Sequence, residues 1–232
     1  MNLYALVHNN QIQVGPRDWR YSFFLGYILD EELDSTELPR RAPEQAVITE
    51  QWQLLPITNL DTPSLEAPFE RLVGPFWAIH EDHITGYYDK EDAPIHEVKG
   101  VLKNKLANNR YRVETGNLTY TFPDGQEVDI YTEREERMIY LNTMLVLPDD
   151  GAVSFKFKND KFRNGVTKQQ LSEIVAMGTQ HIAEAFGWEA MKVDEVDAAT
   201  TIEELKAIEL RHPIQILADE ERENRFGPST AD

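Results

Sequence analysis

The chain has no cysteine among its 232 residues. That excludes disulfide bridges, thiolate metal sites and cysteine nucleophiles together, so stability must come from packing or from neighbouring subunits. Positive charge is scarce as well: 23 Lys and Arg stand against 41 Asp and Glu, a formal net of −18. Broad contact with nucleic acid or an anionic membrane needs cations that displace counterions, and this surface repels phosphates instead. The excess reads most simply as solubility at high concentration. No apolar run approaches the roughly 18 residues of a bilayer span. The opening MNLYALVHNN has no basic start leading into an apolar stretch, so a soluble chain made in the cytosol is expected. Glycine-rich phosphate loops are missing, and Ser22, Ser35, Ser64, Ser154, Ser172 and Ser229 sit in no nucleophile elbow.

What is present points to a packed core. Apolar residues make up 41% of the chain, with 10 Phe, 9 Tyr and 4 Trp, too much for disorder along most of its length. The character changes near residue 95. Pro16, Pro39, Pro43, Pro56, Pro63, Pro68, Pro75 and Pro94 all precede that point, and proline fixes φ and removes a backbone donor. Long regular elements are therefore not expected there. Short strands read at Leu3 to His8 and Gln11 to Val14, joined by Asn9-Asn10, a pair that tolerates the positive φ of a tight hairpin turn. Extended pieces follow at Val47 to Leu54 and Phe76 to His80, with a proline-rich connection over Leu55 to Phe69.

Past Pro94 the periodicity becomes regular. Ile95, Val98, Val101, Leu102 and Leu106 form a helical stripe up to about Asn108. Tyr111 to Glu114 alternates as a strand would, as does Leu118 to Phe122, which turns at Pro123-Asp124-Gly125 and returns over Glu127 to Tyr131. Thr132 to Glu135 has capping-box spacing and opens a helix to about Met144, with Met138, Leu141 and Leu145 as its inner face. A second hairpin reads at Ala152 to Lys158 and Phe162 to Val166. Another capping box, Thr167 to Gln170, starts the longest helix, to about Trp188, with Leu171, Ile174, Val175, Ile182 and Phe186 inward. Thr201 and Glu204 cap a short helix that Pro213 ends, and Ala218 to Asp232 reads as a mobile tail or docking arm.

Three clusters invite chemistry. His80-Glu81-Asp82-His83 carries metal-ligating types, but two imidazoles three apart between Pro75 and Gly86 make a polar turn more readily than a metal site. Glu133-Arg134-Glu135-Glu136-Arg137 offers paired carboxylates for glycoside hydrolysis. Its simpler reading is acidic residues favouring a helix N-terminus, with Glu133 and Arg137 an i, i+4 pair. The stretch from Trp19 to Tyr27, with Tyr21, Phe23 and Phe24, is dense in aromatics beside Arg20. It suits a protein interface, the core of an N-terminal module, or a sugar-binding strip.

The order Thr132-Glu133-Arg134-Glu135, Val153-Ser154-Phe155-Lys156-Phe157, Val166 to Leu171 and Ala199-Thr200-Thr201-Ile202-Glu203-Glu204-Leu205 resembles a domain of unknown function near the C-termini of phage tail-associated proteins. That likeness runs from about Arg110 to Leu210. Tyr4-Ala5-Leu6-Val7-His8, Val14 to Trp19, and Gly74-Pro75-Phe76-Trp77 with His83-Ile84-Thr85-Gly86 are similar to structural proteins of marine cyanobacterial phages. The resemblance implies a virion context and brings no catalytic residues. The expectation is an α+β protein: a Pro-rich β/loop docking module over 1–94, β-hairpins packed on three or four helices over 95–212, and an acidic tail over 213–232. Its expected role is a non-enzymatic tail or baseplate subunit or fibre adaptor, oligomeric in the virion. Other tail or baseplate proteins, or a tail fibre, are the expected partners, with no nucleic acid, membrane, metal or cofactor. Trp19, Tyr21, Phe23, Phe24 and Tyr27 are the candidate interface. Two other readings stand: a fibre-assembly chaperone absent from the finished particle, and an envelope-degrading hydrolase.

Overall fold

The computed structural model describes residues 3–18, 20, 41–43, 45–48, 52–116 and 118–226. The protein is α+β, with ten strands and five α-helices among those residues. It divides into two compact units, Met1–Ala93 and Pro94–Asp232.

The first unit is a six-stranded sheet: β1 Leu3–His8, β2 Gln11–Asp18, β3 Val47–Ile48, β4 Gln53–Asp61, β5 Glu70–Ile79 and β6 Ile84–Asp92. The strand order is β2-β1-β4-β6-β5, with β3 alongside β4. Asn9 and Asn10 turn β1 into β2 at φ 49° and 58°, the positive pair a type I′ hairpin requires. Ala5, Val7, Leu55 and Ile84 form the core, with Ile12, Ile57, Trp77 and Ile79 packed against it.

The proline-rich half holds strands of eight to ten residues, longer than its composition leads one to expect. Each strand proline sits where the ladder is already interrupted. Gly15 and Pro16 fall in the register shift between β1 and β2. Pro56 lies opposite Tyr4 at the end of the β1 pairing, and the parallel pairing of β4 with β6 begins at Ile57. Gly74 and Pro75 fall in the shift between Val73 and Phe76. β4 thus runs through the expected Leu55–Phe69 connection as far as Asp61, and the extended piece read at Val47–Leu54 is split between β3 and β4, which pair antiparallel. β5 begins at Glu70, before Phe76. Trp19, Tyr21, Phe23, Phe24 and Tyr27 lie outside the described residues.

The second unit packs two hairpins and five helices: β7 Leu118–Thr121 with β8 Glu127–Ile130, β9 Ala152–Lys156 with β10 Phe162–Thr167, and α1 Ile95–Glu114, α2 Arg134–Val146, α3 Lys168–Ala198, α4 Ile202–Lys206 and α5 Pro213–Phe226. The core is aromatic: Tyr120, Phe122, Val128 and Ile130 from the first hairpin meet Phe155, Phe157 and Val166, closed by Tyr140, Leu171 and Ile174. α1 runs antiparallel to α3, as three ties of opposite progression require. Lys103 bonds Asp197 at 2.8 Å, Arg110 bonds Glu189 at 3.0 Å, and the His181 ring lies 2.7 Å from the Val113 carbonyl.

Those ties explain one departure from the sequence pattern. Tyr111–Glu114 is the last turn of α1 and not a strand: Arg110 pairs with Glu114 as well as Glu189, and Val113 is buried. Local alternation loses to packing against α3. α3 likewise continues past Trp188 to Ala198, and its Phe186 is exposed, stacked under the Arg110 guanidinium. The capping boxes at Thr167 and Thr201 form as expected. Thr132 does not cap: its hydroxyl donates to the Gly116 carbonyl, and α2 starts after Glu133 without a side-chain cap. Pro213 opens α5, so the residues read as a tail are helical to Phe226. Proline suits a first helical turn, where its missing donor has no partner to lose.

Two substitutions test these packing arguments. A Cβ on Gly86 would lie 2.3 Å from the Trp77 ring that covers it. Gly86→Ala should therefore destabilise the first unit by about 1–3 kcal/mol in urea titration. Thr167→Ala, which removes the α3 cap, should cost the second unit about 1 kcal/mol.

Candidate functional site

The surface that stands out is the outward side of α2. Tyr140 fixes the helix to the core. Its ring stacks on Phe155 at 5.0 Å, and its hydroxyl accepts the Tyr131 backbone N–H at 3.0 Å. With Tyr140 inward, the 100° step per residue turns Arg134, Glu135, Met138, Ile139, Asn142, Leu145 and Val146 outward. All seven are exposed. Four are apolar, with Met138 48%, Ile139 52%, Leu145 67% and Val146 82% exposed. A helix resting on a core normally turns charge to solvent, and four exposed apolar side chains on that side, with Asn142 among them, mark a candidate contact surface.

A cleft of about 300 Å³ runs beside this face, between α2 and α3. Ile130 and Tyr140 line it together with Met138 and Leu141 of α2 and Ile174 of α3. Gly178 is a buried notch in its α3 wall, with no atom within 4 Å of where a Cβ would sit. Arg134 and Arg137 also line it. Arg137 reaches Glu114 only at 3.7 Å, and its Nε is buried without a hydrogen-bond partner. A buried guanidinium N–H left unmade is costly. Both arginines also stand in the first turn of α2, where the helix dipole disfavours cations. The cleft is therefore apolar along its length, with cationic donors at one end.

Of the carboxylates read as a catalytic pair, Glu133 is engaged by its neighbours. Glu133 bonds Lys158 at 3.0 Å and the Thr132 N–H at 3.1 Å. Burial works to raise its carboxyl, but backbone N–H groups and Lys158 outweigh that and hold it below the usual range. Its expected partner Arg137 faces Glu114 instead, because α2 begins at Arg134 and leaves Glu133 outside the helix. His80 and His83 stack at 4.4 Å in the β5–β6 loop. Their nitrogens are engaged locally: His80 with the Thr85 hydroxyl at 3.0 Å and His83 with Asp82 at 2.6 Å. That is the polar turn expected from the sequence. Among the described residues, no group of three or more His, Asp or Glu converges as metal ligands would.

Sequence periodicity alone places Met138 and Leu145 inward, whereas the structure has them outside and Tyr140 inside. The missed signal is the number of apolar residues on α2: Met138, Ile139, Tyr140, Leu141, Met144, Leu145 and Val146 are more than one buried stripe takes. A helix with apolar residues on its outward side as well as its inward one has more to bury than its own domain takes up.

Two measurements follow. Gly178→Ala fits the open notch and removes a glycine from a helix interior, so it should raise stability by about 0.5–1 kcal/mol. Burial pushes the Tyr140 phenol from 10.0 to about 12. The unfolded chain then ionises first, so this contribution is complete below about pH 10 and lost as pH climbs towards 12. Tyr140→Phe should make the alkaline decline of unit stability shallower in denaturant titrations across that window. No protein-family model matches the chain, and it matches no curated protein and no solved structure.

Proposed function

We propose that the protein is a structural component of a tailed-phage particle, a tail or baseplate subunit that works by docking α2 and its adjoining cleft against neighbouring proteins. The observation that carries the docking role is the uncovered apolar side of α2, held outward by Tyr140. The phage context is the expectation given by the motif order from Arg110 to Leu210. The interactions around the acidic residues fit this role, since they serve helix ends, turns and helix pairing. Glu189 and Asp197 tie α1 to α3, Glu204 closes a capping box, and Asp124 and Asp149 pair with Arg163 and Lys168. A surface of net −18 keeps the free chain soluble until the apolar side is covered.

Stable interfaces bury on the order of 1,200–2,000 Å² with a few apolar anchors at the centre, and Ile139 and Leu145 are placed to be such anchors. Carrying Ile139→Glu with Leu145→Glu, the chain should keep its stability within about 1 kcal/mol, because both side chains are already exposed. Its abundance in purified particles, measured by quantitative mass spectrometry, should fall by about tenfold or more. Normal incorporation of that variant, or absence of the unaltered chain from particles, would contradict the proposal.

A further inference from the structure

The last helix has the chemistry that the cleft lacks. α5 is rooted at His212, whose ring packs edge-on against Trp188 at 5.0 Å and whose Nδ1 accepts the Ile214 N–H at 3.2 Å. From Leu217 to Arg222 every residue is exposed. Six successive exposed residues span more than a turn and a half, and Asp219 among them reaches back to Arg211 at 4.0 Å. Isolated helices of this length are marginal in water. Even so, the arm carries a recognition pattern. Ile214, Leu217, Ala218 and Glu221 recur at i, i+3, i+4 and i+7, three apolar positions and then a carboxylate on one side. Ile214 is 46% and Leu217 59% exposed.

The cleft presents the matching pattern. Arg134, Arg137, Met138 and Leu141 have the same i, i+3, i+4, i+7 spacing on α2, here two cations followed by two apolar positions. Both stripes cover eight residues, about 10 Å of helix from first to last. An arm laid antiparallel along α2 would set its apolar turn against Met138 and Leu141 and its carboxylate against the arginines. Arg134 is exposed at that end of the cleft, beside Arg137, whose buried Nε lacks an acceptor.

We propose that α5 of one copy docks into the α2–α3 cleft of a second copy, with Leu217 filling the apolar stretch and Glu221 meeting Arg134 and Arg137. This rests on the docking role proposed for that site and names its first partner as the same chain. Given both ways the contact makes a closed pair; given one way it makes a ring or a filament.

Sedimentation equilibrium of the full chain over a range of concentrations tests the proposal. Reversible self-association is expected. Leu217→Asp, on the exposed arm, should weaken it by about tenfold or more. Glu221→Arg and Arg134→Glu, both at exposed positions, should each weaken it, and mixing the two variants should restore it, because each supplies what the other lost. A monomer at every concentration, or association indifferent to all three substitutions, overturns the proposal. If the chain is monomeric but the α2 variants still fall out of particles, only the self-docking is wrong. If those variants also incorporate normally, the docking role fails with it.

Discussion

The second unit turns on one side chain. Tyr140 stacks on Phe155 and Phe157 and accepts the Tyr131 N–H, so it locks both the position and the rotation of α2. Aromatic contacts of this kind add about 0.5–1.5 kcal/mol beyond burial, and a rolled helix would also lose the part-buried hydrogen bond from the Tyr131 N–H. Everything proposed about the surface follows from that rotation. Met138, Ile139, Leu145 and Val146 are outside because Tyr140 is inside, and Arg134 and Arg137 face the cleft because they lie about 120° and about 60° around the helix from Tyr140.

Unit 1 obeys a different constraint, the accommodation of proline in a sheet. A strand proline deletes one ladder donor, so it is tolerated where pairing already lapses. Pro16 and Pro75 occupy register shifts, and Pro56 marks the point where β4 leaves β1 for β6. The prolines that made this half look irregular sit where pairing lapses, and β4 still pairs with β1, β3 and β6.

Much of the fold was legible in the residues because local chemistry decided it. Asn9-Asn10, Pro123-Asp124-Gly125 and the Thr167 and Thr201 capping boxes each specify one backbone geometry, and each forms. What was not legible depended on distant partners. Tyr111–Glu114 is helical because Arg110 and Val113 are held by α3. Thr132 does not cap because its hydroxyl is taken by Gly116, sixteen residues back. The inner face of α2 was misread because apolar residues lie on both sides of the helix, Tyr140 inward and Met138, Ile139, Leu145 and Val146 outward, and periodicity alone does not say which set is buried. The candidate interface at Trp19, Tyr21, Phe23, Phe24 and Tyr27 lies outside the described residues, and the surface on α2 came from the fold alone.

The central claim is that the outward side of α2 is covered when the protein is at work. Oxidative footprinting of Met138, half exposed in the free chain, tests it most directly. Its conversion to sulfoxide should proceed readily in the isolated protein and slow by about tenfold in the assembled particle, while exposed Met191 on α3 supplies the internal reference. Equal rates for Met138 in both states would contradict the account.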